Sequence, residues 1–253
     1  AAYLTLTGGC EVKGVAFDGF KTSGSGGTGG VLSIMDGRGE DCSFTNCDAG
    51  STDGGGVWMG GAGLITNCYF SGNCARAGAG VFMKDGLTVD CTFTKNRLYK
   101  QQYESLGGAA VGMLGGTLRD CRIVGNTPSS GAYSGTYSPY GGGSVSLYGD
   151  SAVMENCLVQ GNLLEAANHN TPDYCRVAGV FVGKGTVRNC LIIANTNTNT
   201  KTAYKDGTGA GVFMIGGKFY HNTVAGNYLK DDTTFRAGIY MENSNKGTPD
   251  VQN

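Results

Sequence analysis

A seven-residue cassette recurs along the chain, and it limits the possible folds more than any other feature. It consists of a small polar residue, Cys, any residue, an apolar residue, two further residues and Asn. Copies stand at 67–73 (NCYFSGN), 90–96 (DCTFTKN), 120–126 (DCRIVGN), 156–162 (NCLVQGN) and 189–195 (NCLIIAN). HNTVAGN at 221–227 carries Asn222 in the Cys place, and DCSFTNC at 41–47 carries Cys47 in the Asn place. A Gly-rich motif precedes each copy, as GGGVWM from Gly54, GAGVFM from Gly78 and again from Gly209, and VAGVFV from Val177. Cys42, Cys68, Cys91, Cys121, Cys157 and Cys190 lie 26, 23, 30, 36 and 33 residues apart, yet the step from Cys to Asn is five in every full copy.

A fixed cassette joined by insertions of varying length is the signature of a solenoid, in which each turn repeats a core and differs in its loops. Short alternating runs such as Leu118-Arg119-Asp120-Cys121-Arg122-Ile123 suit strands, and no unit carries a 3.6-residue apolar stripe. The shortest repeat accommodates three short strands and three bends. Parallel crossovers are right-handed in nearly all known cases. The fold expected is therefore all-β, a right-handed parallel β-helix of about eight turns, with a worn first copy near VKGVAFDGF at 12–20. The chain reads as one such domain over 1–253. Ala237–Met241 opens a turn that reaches no cassette, and neither end shows an amphipathic helix to cap its strand edges. A longer protein, with a cap or neighbouring domain over an open end, is expected.

Composition removes several classes. Gly makes up 46 of 253 residues but with only 4 Pro and no three-residue period, which excludes collagen. Nineteen basic and twenty acidic side chains leave a net charge of −1, so no global field gathers nucleic acid. No apolar run approaches the ~20 residues needed to cross a bilayer, and no signal peptide opens the chain, so direct membrane insertion is not expected.

The repeated GG-x-[VI] and [FIV]-x-x-N pairs resemble those of the right-handed parallel β-helices of the pectin-lyase-like superfamily. Within that group they are similar to chlamydial polymorphic outer-membrane proteins and related bacterial surface β-helices. The likeness runs from about Tyr3 to Asn243. It implies a secreted or cell-surface bacterial protein, and it leaves the activity open, because the superfamily holds lyases, hydrolases and adhesins alike.

The six cassette cysteines should stack as one column of small inward thiols filling a narrow coil. They form no CxxC pair, so no metal and no cofactor is called for. Cys47 and Cys74 are the one pair placed to bridge. The Asn residues 73, 96, 126, 162, 195 and 227 form a second column, an amide ladder at a bend in the left-handed region. His221 belongs to a cassette turn and is read as a turn residue.

With the cassette as scaffold, function falls to the insertions. The long ones, 97–106, 127–140, 163–176, 196–208 and 228–236, all lie between the ladder Asn and the next Gly motif. They should therefore leave adjacent turns along one edge and form a shelf. Eight of the 13 Tyr fall in them: Tyr99, Tyr103, Tyr133, Tyr137, Tyr140, Tyr174, Tyr204 and Tyr228. Tyr offers a flat apolar face and a polar tip, suited to a glycan or a surface protein. The alternative is a polysaccharide lyase or glycosidase on the same face. Its best loop cluster is Glu165, His169, Asp173 and Arg176, expected to be a solvated surface group. Strand charges available to it are Lys84, Asp85, Arg119, Arg122, Lys184, Arg188 and Lys218.

Overall fold

The computed structural model describes residues 2–22, 29–99, 107–128, 142–165, 176–198, 209–230, 237–242 and 248–252. Every named strand pair within them is parallel, and each strand pairs with its equivalents in the preceding and following turns. Three long sheets result. The first has nine strands, from Leu4–Leu6 through Val57–Met59, Val111–Met113 and Val212–Met214 to Ile239–Met241. The second also has nine, from Glu11–Lys13 through Thr117–Arg119 to Asp250–Gln252. The third has eight, from Ala16–Asp18 through Thr92–Thr94 to Thr223–Ala225.

Eight complete turns are present, as the repeat predicts, and the register never slips: Val81 faces Val57 and Val111, and Phe93 faces Phe70 and Ile123. The open turn at Ala237 goes further than expected. Asp250–Gln252 pairs with Lys218–Tyr220 and supplies a strand to the second sheet.

Side-chain alternation fixes what lies inside. In the second and third sheets the middle residue of each three-residue strand points inward, giving Ile65, Leu118 and Met154 in one wall and Phe44, Phe70 and Phe93 in the other. Phe17, Phe44, Phe70 and Phe93 stack with centroids 4.9, 4.9 and 4.7 Å apart and planes within 9°. That spacing is the strand spacing of a parallel sheet, so register alone sets the offset stack. Beyond Phe93 the column continues as Ile123, Val159 and Ile192. The Gly motifs make the corner before the first sheet. Gly54 and Gly78 adopt φ of +76° and +57°, and a Cβ would sit 2.6 and 2.3 Å from the carbonyl oxygens of Val57 and Val81.

Five of the turns also hold a fourth, two-residue strand that the sequence does not announce. Cys74–Ala75 pairs with Arg97–Leu98, and Leu163–Leu164 pairs with Thr196–Asn197 and on to Tyr228–Leu229. Single bridges carry the row back to Lys21 and Asp48 and forward to Thr127.

Candidate functional site at the loop-bearing edge

The fourth ladder is the root of all five insertions. Arg97 bridges Thr127, the Leu163 N–H donates to the Asn126 carbonyl at 3.0 Å, and Thr196 sits between Leu163 and Tyr228. Insertions scattered over 140 residues of sequence therefore depart from five neighbouring rungs on one edge. Two of the eight tyrosines lie in described residues, Tyr99 at 37% exposure and Tyr228 at 56%. Tyr103, Tyr133, Tyr137, Tyr140, Tyr174 and Tyr204 lie outside the described residues.

The ionisable group of the third insertion divides differently from expectation. Glu165, at its start, is exposed, and His169 and Asp173 lie outside the described residues. Arg176, at its end, is not a solvated loop residue. Its side chain is 5% exposed, its Nη1 donates to Glu242 Oε2 at 2.8 Å, and its guanidinium lies 5.3 Å from the Phe213 ring. A cation so held is part of the packing that ties the insertion's end to the first sheet.

The outer face of the first sheet explains that packing. All three residues of most of its strands are buried, as in Val57-Trp58-Met59 and Val212-Phe213-Met214. Val57 and Met59 join the central core, whereas Trp58 and Phe82 form a separate cluster outside the coil with Ala77 and Leu114. Phe181 and Phe213 form another, with Tyr148 and Tyr240 against them. Each cluster carries a cation, Lys84 Nζ 5.3 Å from the Trp58 ring in one and Arg176 in the other. Beside the first, Arg76 makes a two-pronged ion pair with Asp53 at 2.9 and 2.8 Å. Gly112 and Ser146 occupy the same outward position between the two clusters. The sequence signal for this face was three consecutive apolar residues in a short strand, which marks burial on both sides.

Of the charges expected on strands, Lys84, Asp85 and Lys184 fall in the bends that follow first-sheet strands. Arg119, Arg188 and Lys218 belong to the second sheet and Arg122 to the third. Arg188 pairs with Glu155, and Lys184 with Asp150 at 3.0 Å. No group of three or more His, Cys, Asp or Glu is gathered as a metal site among the described residues.

The two corners flanking the third sheet share one construction. At the Asn corner, each amide Nδ2 donates to the Oδ1 of the next rung, from Asn73 to Asn96, Asn126, Asn162, Asn195 and Asn227, at 2.8–3.0 Å. Each Nδ2 also donates to a carbonyl of the turn before, such as Phe70 for Asn96 and Phe93 for Asn126. Each Oδ1 additionally accepts the backbone N–H of the residue one rung earlier, for example Asn96 N to Asn126 at 3.1 Å.

At the Cys corner the sulfur takes the same place. The N–H groups of Cys42, Cys68, Cys91 and Cys157 donate to the next rung's Sγ at 3.4–3.5 Å, and the Cys190 N–H donates to Asn222 Oδ1 at 2.8 Å. Each thiol in turn donates to the carbonyl two residues before it, such as Arg119 for Cys121 at 3.1 Å. The thiols thus act as hydrogen-bonding groups and not only as small hydrophobes. The exchange of Asn222 and Cys47 between the two columns was the sequence signal for this equivalence.

Two expectations are corrected here, and the reading of His221 stands. The left-handed residue is not the ladder Asn but its predecessor, as Lys95 and Ala194 show with φ of 54°, and Asp90, Asn156 and His221 do the same before the Cys column. His221 is accordingly an exposed turn residue. Cys47 and Cys74 are both free, because Cys47 occupies an Asn-column place whose equivalent is Asn73, one residue away from Cys74. Burial pushes each of those thiols up to about 11. Cys121 is likewise held well above the ordinary thiol range, burial first and its Cys157 and Cys91 neighbours after it.

A stack of parallel sheets with its insertions gathered on one edge defines a β-solenoid scaffold. The profile of the family described as "Right handed beta helix region" matches residues 2–253, and the chain belongs to that family. No curated protein matches it significantly. Among solved structures it is similar to full-length QnrB1, a plasmid-mediated fluoroquinolone resistance protein, at 12% identity and a TM-score of 0.26. That alignment covers 92% of this chain and 94% of the other, and at that score it carries no argument about function.

Proposed function

We propose that the protein is a binding rod, exported or displayed on a bacterial surface, whose loop-bearing edge meets a glycan or another surface protein. The observation that carries this reading is the convergence of five insertion roots on adjacent rungs, with Tyr99 and Tyr228 exposed on that edge. At ~4.8 Å per rung the roots span roughly 20 Å, enough for an extended ligand to meet several insertions at once. Export rests on the resemblance to surface β-helices. The enzyme alternative loses one of its four loop groups, since Arg176 is bound to Glu242 and packed on Phe213.

A screen of acidic and neutral polysaccharides, with cleavage assayed on the same panel, tests the reading. Binding without cleavage, weakened at least tenfold by Tyr99→Ala with Tyr228→Ala or by Tyr133→Ala with Tyr174→Ala, is the expected result. No binding to any glycan or surface protein, or binding indifferent to all four changes, sinks the shelf. Cleavage abolished by Glu165→Gln replaces it with an enzyme.

A further inference from the structure

The column of six thiols is a feature that neither the scaffold nor the loop edge fully uses. Cys42, Cys68, Cys91, Cys121, Cys157 and Cys190 are all free, 1–3% exposed, and set at one position of consecutive turns. Rungs of a parallel sheet lie ~4.8 Å apart. A Cα spacing of that size is within disulfide range, but the Cβ vectors of equivalent residues point the same way. The sulfur-to-sulfur gap therefore stays near the rung spacing, far wider than an S–S bond of about 2.05 Å. That gap is close to the span of two collinear thiolate–metal bonds, each about 2.3 Å. Equivalent side chains keep one direction from turn to turn, the sulfurs of Cys68, Cys91, Cys121 and Cys190 each lying 3.4–3.5 Å from the backbone N of the rung before. A cation between two successive sulfurs therefore lies on the line of the column.

The hydrogen bonds around the column also suit thiolates. Backbone N–H groups aim at the sulfurs of Cys68, Cys91, Cys121 and Cys190, and such a donor favours the charged acceptor. The carbonyls that accept the S–H protons, on Glu40, Thr66, Val89, Arg119, Glu155 and Arg188, each accept a second, backbone donor: Gly14, Asp41, Asn67, Asp90, Asp120 and Asn156 respectively. Loss of all six protons therefore orphans no carbonyl. The column lies one residue behind an exposed corner that includes Asp41, Asp90 and Asp120, so entry requires only local opening.

We propose that the thiol column is a binding site for soft monovalent cations, Cu(I) or Ag(I), each held in two-coordinate fashion between sulfurs of successive turns. Three- or four-coordinate ions are not accommodated, because the thiols form a line and not a cluster. The first cation displaces two thiol protons and gives a bis-thiolate of charge −1. Each further cation extends the chain by one sulfur and releases one proton. Six thiols bound to five cations carry −6 and +5, so the filled column keeps a charge of −1, with six protons released.

The test uses the full chain, reduced and anaerobic, carrying Cys10→Ser, Cys47→Asn, Cys74→Ala and Cys175→Ser to remove the four thiols outside the six-thiol column. Silver ion is the probe, with retained metal, proton release and X-ray absorption as readouts. About five silver ions per chain, six protons, and two collinear sulfur neighbours per silver are expected. The double variant Cys91→Asn with Cys121→Asn keeps the hydrogen-bond role that Asn222 already plays at this corner, and should fall to about two. Retention of less than one silver per chain, silver bound to nitrogen or oxygen, or a double variant that keeps five, overturns the proposal. Should the double variant fail to fold, the sulfur coordination in the parent chain alone decides.

Discussion

The Asn corner and the Cys corner face the same problem and answer it with different chemistry. Both follow a residue in the left-handed region, both leave a backbone N–H aimed along the rod, and both satisfy it with a side chain from the next turn. The amide does more. Asn126 donates to Asn162 and to the Phe93 carbonyl while accepting from the backbone and side chain of Asn96, four bonds at 3.0–3.1 Å. The thiol of Cys121 accepts one N–H at 3.4 Å and donates weakly to one carbonyl. A row of amides is therefore a chain of strong, mutually dependent bonds, whereas a row of thiols is a tight apolar filling with weak bonds added. The Asn corner should behave as the structural spine, and the Cys corner should tolerate change.

The largest expected effect tests the spine. Asn126→Ala leaves the Asn96 N–H without its acceptor and takes one bond each from the Asn96 amide, the Phe93 carbonyl and the Asn162 oxygen inside a fully buried corner. At ~1–3 kcal/mol for each buried group left unmade, and with partial relaxation, a loss of about 4 kcal/mol is expected in denaturant unfolding. A loss below about 1 kcal/mol breaks the comparison at its stronger side.

Alkaline pH comes next. The thiols of Cys47 and Cys74 rise to about 11 in the folded chain from an ordinary value of 9.0, because burial opposes the thiolate. Their folded values lie above the unfolded one, so their contribution is full below pH 9 and is lost as pH rises through 11. Each thiol can cost on the order of 3 kcal/mol across that window. Unfolding midpoints measured from pH 8 to pH 11 should fall steadily, and the doubly substituted Cys47→Asn, Cys74→Ala chain should fall less. Equal slopes for both chains would remove the assignment.

Cys121→Ala probes the weaker corner. It deletes one buried sulfur and the acceptor of the Cys91 N–H. The expected cost is about 1–2 kcal/mol, a small cavity plus one weakly made bond. Its ratio to the Asn126→Ala cost is the direct measure of how far the two corners differ.

How much of this was legible depended on whether a feature repeats. The cassette fixed the number of turns, the register and both columns, because a residue at a constant offset in every turn has only one place to go. The two-residue fourth strand escaped notice because alternation needs more than two residues to be visible. The burial of Arg176 escaped for a different reason. An Arg at the end of a long polar segment reads as solvated, and the groups that bury it, Phe213 and Glu242, are brought to it only by later turns; the ion pair spans 66 residues. The second-sheet strand Asp250–Gln252 carries no cassette at all, and only pairing with Lys218–Tyr220 defines it. Periodic features were therefore readable and singular ones were not, which is why the scaffold was clearer than the loop-bearing edge.

The smallest expected effect is the sharpest test of equivalence between the corners. Cys47 occupies the head of the Asn column, where its N–H donates to Asn73 Oδ1 at 2.9 Å and its sulfur reaches the Phe17 carbonyl only at 3.7 Å. The equivalent amide one turn on, Asn73, donates to both Asn96 and the Phe44 carbonyl at 2.9 Å. Cys47→Asn should therefore extend the ladder by one rung, turning a long sulfur contact into two amide bonds. A gain of up to about 1 kcal/mol is expected, the net value of an added buried hydrogen bond after the amide is desolvated. Asn222→Cys, the opposite exchange at the tail of the other column, should lose a similar amount, because Asn222 now accepts from Cys190 at 2.8 Å and donates to the Val187 carbonyl at 3.0 Å. If both exchanges move stability in the same direction, the amide and the thiol are not interchangeable versions of one corner, and the difference between the columns has another cause.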